Sequence, residues 1–160
     1  MASKGPDLYR RGLYTYWKRA VNPPRMLIFD AATREYCSVL RKETNTPLQA
    51  LVLMNDVTFL EAARALADRI VSEGEGDLDA RLRFGFRLAC GAKPSDAEMD
   101  VMRDTYQDFK AYFEKDKEAA ADFLKQGAAS IDNVKDPAMH AALMAATHLA
   151  LNLDRTITLE

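Results

Sequence analysis

Cysteine is scarce in this chain, and what there is lacks the spacing of a metal site. Cys37 and Cys90 are the two cysteines among 160 residues. Neither belongs to a C-x-x-C or C-x-x-C-H pattern, which excludes a zinc ribbon and covalent haem attachment. One disulfide and two buried thiols both stay open at this point, although the composition is far from a disulfide scaffold. Histidine is as sparse: His140 and His148 are eight residues apart, not the i, i+4 spacing that lets two imidazoles share a metal, and no carboxylate or thiol partner is evident for either. The P-loop, the G-x-G-x-x-G turn and the G-x-S-x-G elbow are all missing, so no catalytic residue, metal ligand or cofactor is expected in this segment. No apolar run approaches the roughly 20 residues of a membrane span, and no signal-peptide core follows the first methionine. The segment reads as soluble and without its own leader. Met1-Ala2-Ser3 and Leu159-Glu160 have the look of vector-derived ends, so the missing leader says nothing of the parent protein.

What is present is enough for one core. Apolar residues make up 48% of the chain, sufficient at this length to bury a continuous interior without metals or disulfides. The net charge of −2 hides an asymmetry: residues 1–46 carry nine Lys/Arg against four Asp/Glu, and residues 47–160 carry thirteen against twenty. A basic arm on an acidic body has several docking choices, of which the chain's own acidic face is favoured because its cations are dispersed among aromatics and form no run. An acidic partner, and weaker docking on nucleic acid or anionic lipid, rank below it, so no nucleic acid is expected as a partner and no membrane span is expected. The expected organisation is a single domain over 1–160, in which a basic helix and irregular segment, 1–46, pack on a helical body, 47–154.

Helix punctuation is dense. Asp7 can cap a first helix carrying Tyr9, Leu13, Tyr16, Trp17 and Ala20 on one stripe until Pro23-Pro24 stops it. The stretch from Arg25 to Glu43 is the least regular, with a short apolar run, Met26 to Phe29, and a turn or two capped by Asp30 through Ala31 to Tyr36. Thr46-Pro47-Leu48-Gln49 is a capping box that opens a helix at Pro47. Asn55-Asp56 either recaps or bends that helix, whose stripe continues through Val57, Leu60, Arg64, Ala67, Ile70 and Val71 to Gly74. Asp77 caps the next helix, with Leu78, Leu82, Gly85, Phe86 and Ala89 on one face and Gly91 at its left-handed end. Ser95 to Glu98 is a second capping box, ahead of a stripe of Met99, Met102, Tyr106, Phe109 and Phe113. A shorter helix, about Lys117 to Gln126, ends at Gly127, and Asp136-Pro137 opens a last one through Leu143, Thr147 and Leu151 to about Asp154. Six or seven helices with short connections predict an all-α fold, an irregular antiparallel bundle, with a helical-repeat-like array as the alternative.

Most acidic pairs read as helix-start charges: Glu73/Glu75, Asp77/Asp79, Asp96/Glu98/Asp100 and Glu114/Asp116/Glu118. The candidate functional surface is polar and lies ahead of a helix N-terminus, where free N–H groups and the positive end of the dipole favour an anion. It comprises Arg41, Thr44, Asn45, Thr46 and Gln49, with Asn55 and Asp56 further along the same string. Capping alone also accounts for Thr46 and Gln49. A second candidate is aromatic: Tyr14 and Trp17 suit sugar stacking, although aromatics at helical spacing more often belong to a core.

Several strings in this sequence look familiar. Arg11-Gly12-Leu13-Tyr14-Thr15-Tyr16-Trp17-Lys18-Arg19, Met26 to Ala31, Arg34-Glu35-Tyr36-Cys37, and above all Thr44-Asn45-Thr46-Pro47-Leu48-Gln49-Ala50-Leu51-Val52-Leu53-Met54-Asn55-Asp56 resemble the C-terminal part of domain of unknown function 1553. Ala62 to Ala67, Arg83 to Gly91 with Pro94-Ser95, and Leu151 to Asp154 follow the family in order, so the resemblance runs over nearly the whole chain. Ala32 departs from it, standing where the family pattern has proline. The resemblance implies a setting and no activity: large exported proteins of planctomycetes and related bacteria, often with a c-type haem domain upstream. Two readings follow. One is a non-catalytic helical module that packs on upstream domains of its parent. The other is part of a carbohydrate-binding or polysaccharide-processing site of that parent, with a glycan as ligand.

Overall fold

A computed structural model describes residues 9–18, 21–33, 35, 37, 39–40, 44–130 and 134–157. Among them are eight α-helices and no strand, so the fold is an all-α bundle. In chain order the helices are α1 (Pro24–Ile28), α2 (Pro47–Asn55), α3 (Val57–Glu73), α4 (Leu78–Cys90), α5 (Asp96–Lys115), α6 (Lys117–Leu124), α7 (Pro137–Leu151) and α8 (Asp154–Ile157). The chain divides into two compact units, Met1–Leu51 and Val52–Glu160.

The second unit is built around α7. Pro137 to Leu151 contains no Asp, Glu, Lys or Arg, and a helix apolar on every side is stable only when surrounded. It is surrounded: α3, α4, α5 and α6 all pack against it. The alanines Ala138, Ala141, Ala142, Ala145, Ala146 and Ala150 are buried along its length, with Leu143 and Met144 between them. The outer helices supply the larger side chains, chiefly Ile70 from α3, Leu82 and Phe86 from α4, and Met99, Met102, Tyr106 and Phe113 from α5. In a repeat array each element touches only its neighbours in sequence, and the contact of α3 with α7 is the opposite arrangement.

The caps fall where the sequence places them. Asp56 accepts from Thr58 N, so the chain is recapped there and α3 is a new helix. Asp77 accepts from Ala80 N, and Gly91 closes α4 at φ +66°. Asp116 caps α6 and Asp136 caps α7. At α5 the capping box is complete. Glu98 N donates to Ser95 Oγ at 3.3 Å, while Ser95 N and Oγ both donate to Glu98 Oε2 at 2.7 Å. The Ser95 amide, then its hydroxyl, hold the Glu98 carboxyl below its ordinary range against the opposing effect of burial, and the Arg155 guanidinium, 2.8 Å away, adds to the lowering. A lowered carboxylate pKa stabilises the fold above the unfolded-state value, about 4.3 for glutamate. That contribution fades as the pH falls through the lowered folded-state value. The stability difference between the wild type and Glu98→Gln, read as urea midpoints, is therefore expected to shrink from neutral pH down to about pH 3. A pH-independent difference would contradict the charged box.

Five expectations need correction. The helix from Asp7 to Ala20 is not there over the described residues: a three-residue 3₁₀ turn, Gly12–Tyr14, stands in its place. Of its stripe Tyr9, Leu13 and Tyr16 are exposed and Trp17 is half-buried, and a short helix containing glycine is marginal in water unless its apolar face is covered. The turn expected over Ala31 to Tyr36 does not follow Asp30 either. Ala31, Ala32 and Thr33 are non-helical, because Asp30 takes a left-handed backbone, φ +56°, and turns the chain away; Arg34 and Tyr36 lie outside the described residues. Phe109 is exposed at 41%, since the α5 stripe drifts off the core between Tyr106 and Phe113. Glu73 opens no helix; it ends α3 and pairs with Arg69. The last long helix also stops earlier than expected, at Leu151, with α8 beginning at Asp154.

Candidate functional site

The polar string ahead of α2 assembles around one carboxylate. Asp30, in its left-handed conformation, directs Oδ2 at Thr44, which donates to it from N at 2.8 Å and from Oγ1 at 2.6 Å. Asp is among the few residues that accept such a backbone readily. Gln49, one turn into α2, is 3% exposed. Its Nε2 donates to Ile28 O at 2.8 Å and lies 3.2 Å from Thr44 Oγ1 and 3.4 Å from Asp30 Oδ2. Its Oε1 accepts from Thr46 N at 2.9 Å, and Thr46 Oγ1 accepts from Gln49 N at 3.3 Å. Gln49 thus completes the capping box and joins α2 to the end of α1, with Asp30 and Thr44 closing the loop between them.

The arrangement is a clasp, and its polar atoms face one another. At the α2 N-terminus, read as an anion site, the Gln49 N–H is bound by Thr46 Oγ1 and the Thr46 N–H by Gln49 Oε1. Asn45 is exposed beside it, and Arg41 lies outside the described residues. Asn55 ends α2 and Asp56 caps α3, so Asp56 is committed to a helix terminus as well. Asp30 is the residue whose role sequence reasoning misses: its position suggests a helix cap, and it is instead the acceptor for Thr44. A Thr-Asn-Thr-Pro string with an acid fourteen residues upstream has no local periodicity to reveal the pairing.

Of the aromatic pair, Tyr14 closes the 3₁₀ turn and is 67% exposed. Trp17 is half-buried, its indole N–H bound to Asn22 Oδ1 at 2.7 Å. Both cysteines are free thiols, Cys37 exposed and Cys90 half-buried, with Cys90 Sγ 3.3 Å from Thr156 Oγ1. The two histidines serve the second unit. His148 Nε2 lies 2.9 Å from Leu53 O. His140, buried at 6% exposure, does have a carboxylate neighbour: Nε2 is 2.7 Å from Asp68 Oδ1. The pair is close without the angle of a hydrogen bond, which leaves Nε2 unsatisfied. Among the described residues no three His, Cys, Asp or Glu side chains gather as metal ligands, and no helix is long and apolar enough to cross a membrane.

Buried charge is concentrated elsewhere, on α3. Arg64, 3% exposed, donates from Nη1 to Leu124 O at 2.8 Å and from Nη2 to Ala129 O at 2.9 Å. Glu61, one turn earlier, accepts from Ala128 N. Helical spacing marks Arg64 as a core position, and the structure adds what it bonds. These groups hold the turn that follows α6, where Gly127 has φ +114° and a side chain would collide with the Glu61 carboxylate.

Comparison with known proteins supplies a family. The family model described as PSD1, protein of unknown function (DUF1553), matches residues 1–106. The match includes Asp30, Thr44 and Gln49, and it stops within α5, short of the Leu151 to Asp154 string. No curated protein and no solved structure matches the chain significantly.

Proposed function

Because the chain belongs to the DUF1553 family, we propose that it is a non-catalytic helical interaction module of a larger protein, offering its first unit to preceding domains of the same parent. On this reading the parent is exported and carries a c-type haem domain upstream. One observation supports the proposal above the others. Among the described residues up to Leu51, Gln49 alone is buried, while Leu13, Tyr14, Tyr16, Val21, Val39, Leu40, Leu48 and Leu51 are exposed by more than half. Soluble surfaces seldom leave that much apolar area uncovered unless something binds it. The cations Arg10, Arg11, Lys18 and Arg25 are interspersed with these residues, so the favoured partner surface is apolar at its centre and acidic at its rim. The clasp of Asp30, Thr44 and Gln49 fits the same reading, since it ties together a unit in which no apolar side chain among the described residues is buried.

The test is association between this chain and the separately expressed preceding domains, measured by calorimetry at two salt concentrations. Micromolar binding is expected, weaker at high salt and weakened further by Leu13→Ser with Tyr16→Ser. Silence at high micromolar concentration overturns the proposal. Binding of neutral glycans through Tyr14 and Trp17, with no association between the protein parts, overturns it in favour of a carbohydrate site.

A further inference from the structure

We infer that the second unit contains a binding cleft for a small monocarboxylate with an apolar body, held by Arg81 and Tyr106. The cleft has a volume of about 290 Å³ and is lined by Gly76, Leu78, Arg81, Tyr106, Met139 and Leu143, near the lower end of the ~300–1,000 Å³ that small-molecule sites occupy. It lies where the α3–α4 connection, the first turns of α4, the middle of α5 and the start of α7 converge. Leu78, Met139 and Leu143 supply an apolar wall. Two polar groups share it with them.

Arg81 is one. Among the described residues its side chain has no hydrogen-bond or ion-pair partner, and its Nε is buried without an acceptor. A buried donor left unpaired costs about 1–3 kcal/mol, so such a group is expected to meet an acceptor in the working protein. The Tyr106 phenol is the other, on a side chain 7% exposed. Burial first, then the charges of Asp136 and Glu114, push its pKa up, and Arg81 pulls the other way. The phenol therefore stays protonated at neutral pH, able to donate beside the guanidinium.

The same two acids argue against a bare inorganic anion. Asp136 and Glu114 are close enough to act on Tyr106, so a multiply charged ion would meet repulsion that a single carboxylate largely avoids. An apolar body on that carboxylate would cover Leu78, Met139 and Leu143. An extended guanidinium with a neighbouring hydroxyl donor suits the two oxygens of one carboxylate. None of this depends on what the first unit binds.

Phenylacetate, benzoate and hexanoate are the probes, with phenylacetamide as the uncharged control, titrated into the intact chain and followed by ¹⁵N-resolved NMR. Phenylacetate is expected to saturate at millimolar concentration, moving the Arg81 Nε–H and Gly76 N–H resonances, with phenylacetamide weaker by about tenfold, the worth of one charge-assisted hydrogen bond. Arg81→Met keeps the stem and is expected to lose about tenfold in affinity with little change in melting temperature, and Tyr106→Phe to lose severalfold. The wild-type Arg81 resonance keeps the test valid should either variant misfold. An Arg81 Nε–H signal unmoved at about 10 mM phenylacetate, or an amide bound as tightly as the acid, overturns the inference.

Discussion

Arg64→Ala is expected to destabilise the second unit by about 3 kcal/mol, equivalent to roughly 10 °C in melting temperature at this chain length. The guanidinium is buried on α3 and spans from Leu124 O, at the end of α6, to Ala129 O beyond it. The last carbonyls of a helix have no partner inside it, and that end of the dipole favours a cation. Arg64 meets both needs with one planar group. Truncation to alanine leaves two carbonyls facing a cavity, and hydrogen bonds to a charged donor contribute about 1.5–3 kcal/mol each. Arg64→Lys retains the charge but cannot fork, so it should lose about half as much. Arg64→Met retains the stem without the donors and should fall close to alanine. Urea midpoints give the ranking, and amide exchange over 124–130 should accelerate selectively in the alanine variant. Equal stability of Arg64→Lys and the wild type would mean that the fork is not what holds this turn.

Much of the second unit was legible because its helices are punctuated by local chemistry. Ser95 with Glu98, Asp77, Asp136 with Pro137, and Gly91 each bond within four residues of their own position, so sequence spacing alone identifies them. The burial stripes of α4 and the first half of α5 follow for the same reason. Arg64 was legible as a position and illegible as an interaction, because its partners lie 60 and 65 residues away. Asp68 beside His140 was hidden by the same kind of distance.

The first unit was read less well, and the reason is physical. A stripe of Tyr9, Leu13 and Tyr16 predicts a helix only if something covers it, and among the described residues these side chains are exposed. Periodicity reports what a segment is able to bury, not whether a burial partner is present. The clasp was half legible: Thr46 and Gln49 stand at capping-box spacing, whereas Asp30 enters from fourteen residues before Thr44 through a left-handed backbone that sequence rarely announces. Thr44, Thr46 and Gln49 of the polar string bond to one another, a mutual arrangement that residue spacing shows only for the Thr46–Gln49 pair.

Gly85→Val is expected to cost about 3 kcal/mol, and the reason can be isolated by a second substitution. Gly85 is in the interior of α4, where glycine is about 1 kcal/mol worse than alanine. Its retention in a helix calls for a steric cause, and a Cβ built there would lie 2.3 Å from Ile70 Cδ1, 3.0 Å from Ile70 Cγ1 and 3.5 Å from Thr147 Cγ2. Three helices meet at this point. Ile70 and Thr147 are both fully buried, and Thr147 Oγ1 lies 3.2 Å from Ala63 O across the α3–α7 contact, so the neighbours have little room to move. Gly85→Ala should be milder, near 1 kcal/mol net, since the helix gains propensity while Ile70 is forced to turn its terminal methyl. Ile70→Val removes that methyl at a cost of its own, about 1 kcal/mol. Combined, Gly85→Ala and Ile70→Val should be less destabilising than the sum of the two by about 1 kcal/mol, because the alanine methyl occupies the space the isoleucine vacates. Strict additivity in the double-mutant cycle would show that the glycine is not there to let α3 approach α4, and the steric account of this crossing would have to be abandoned.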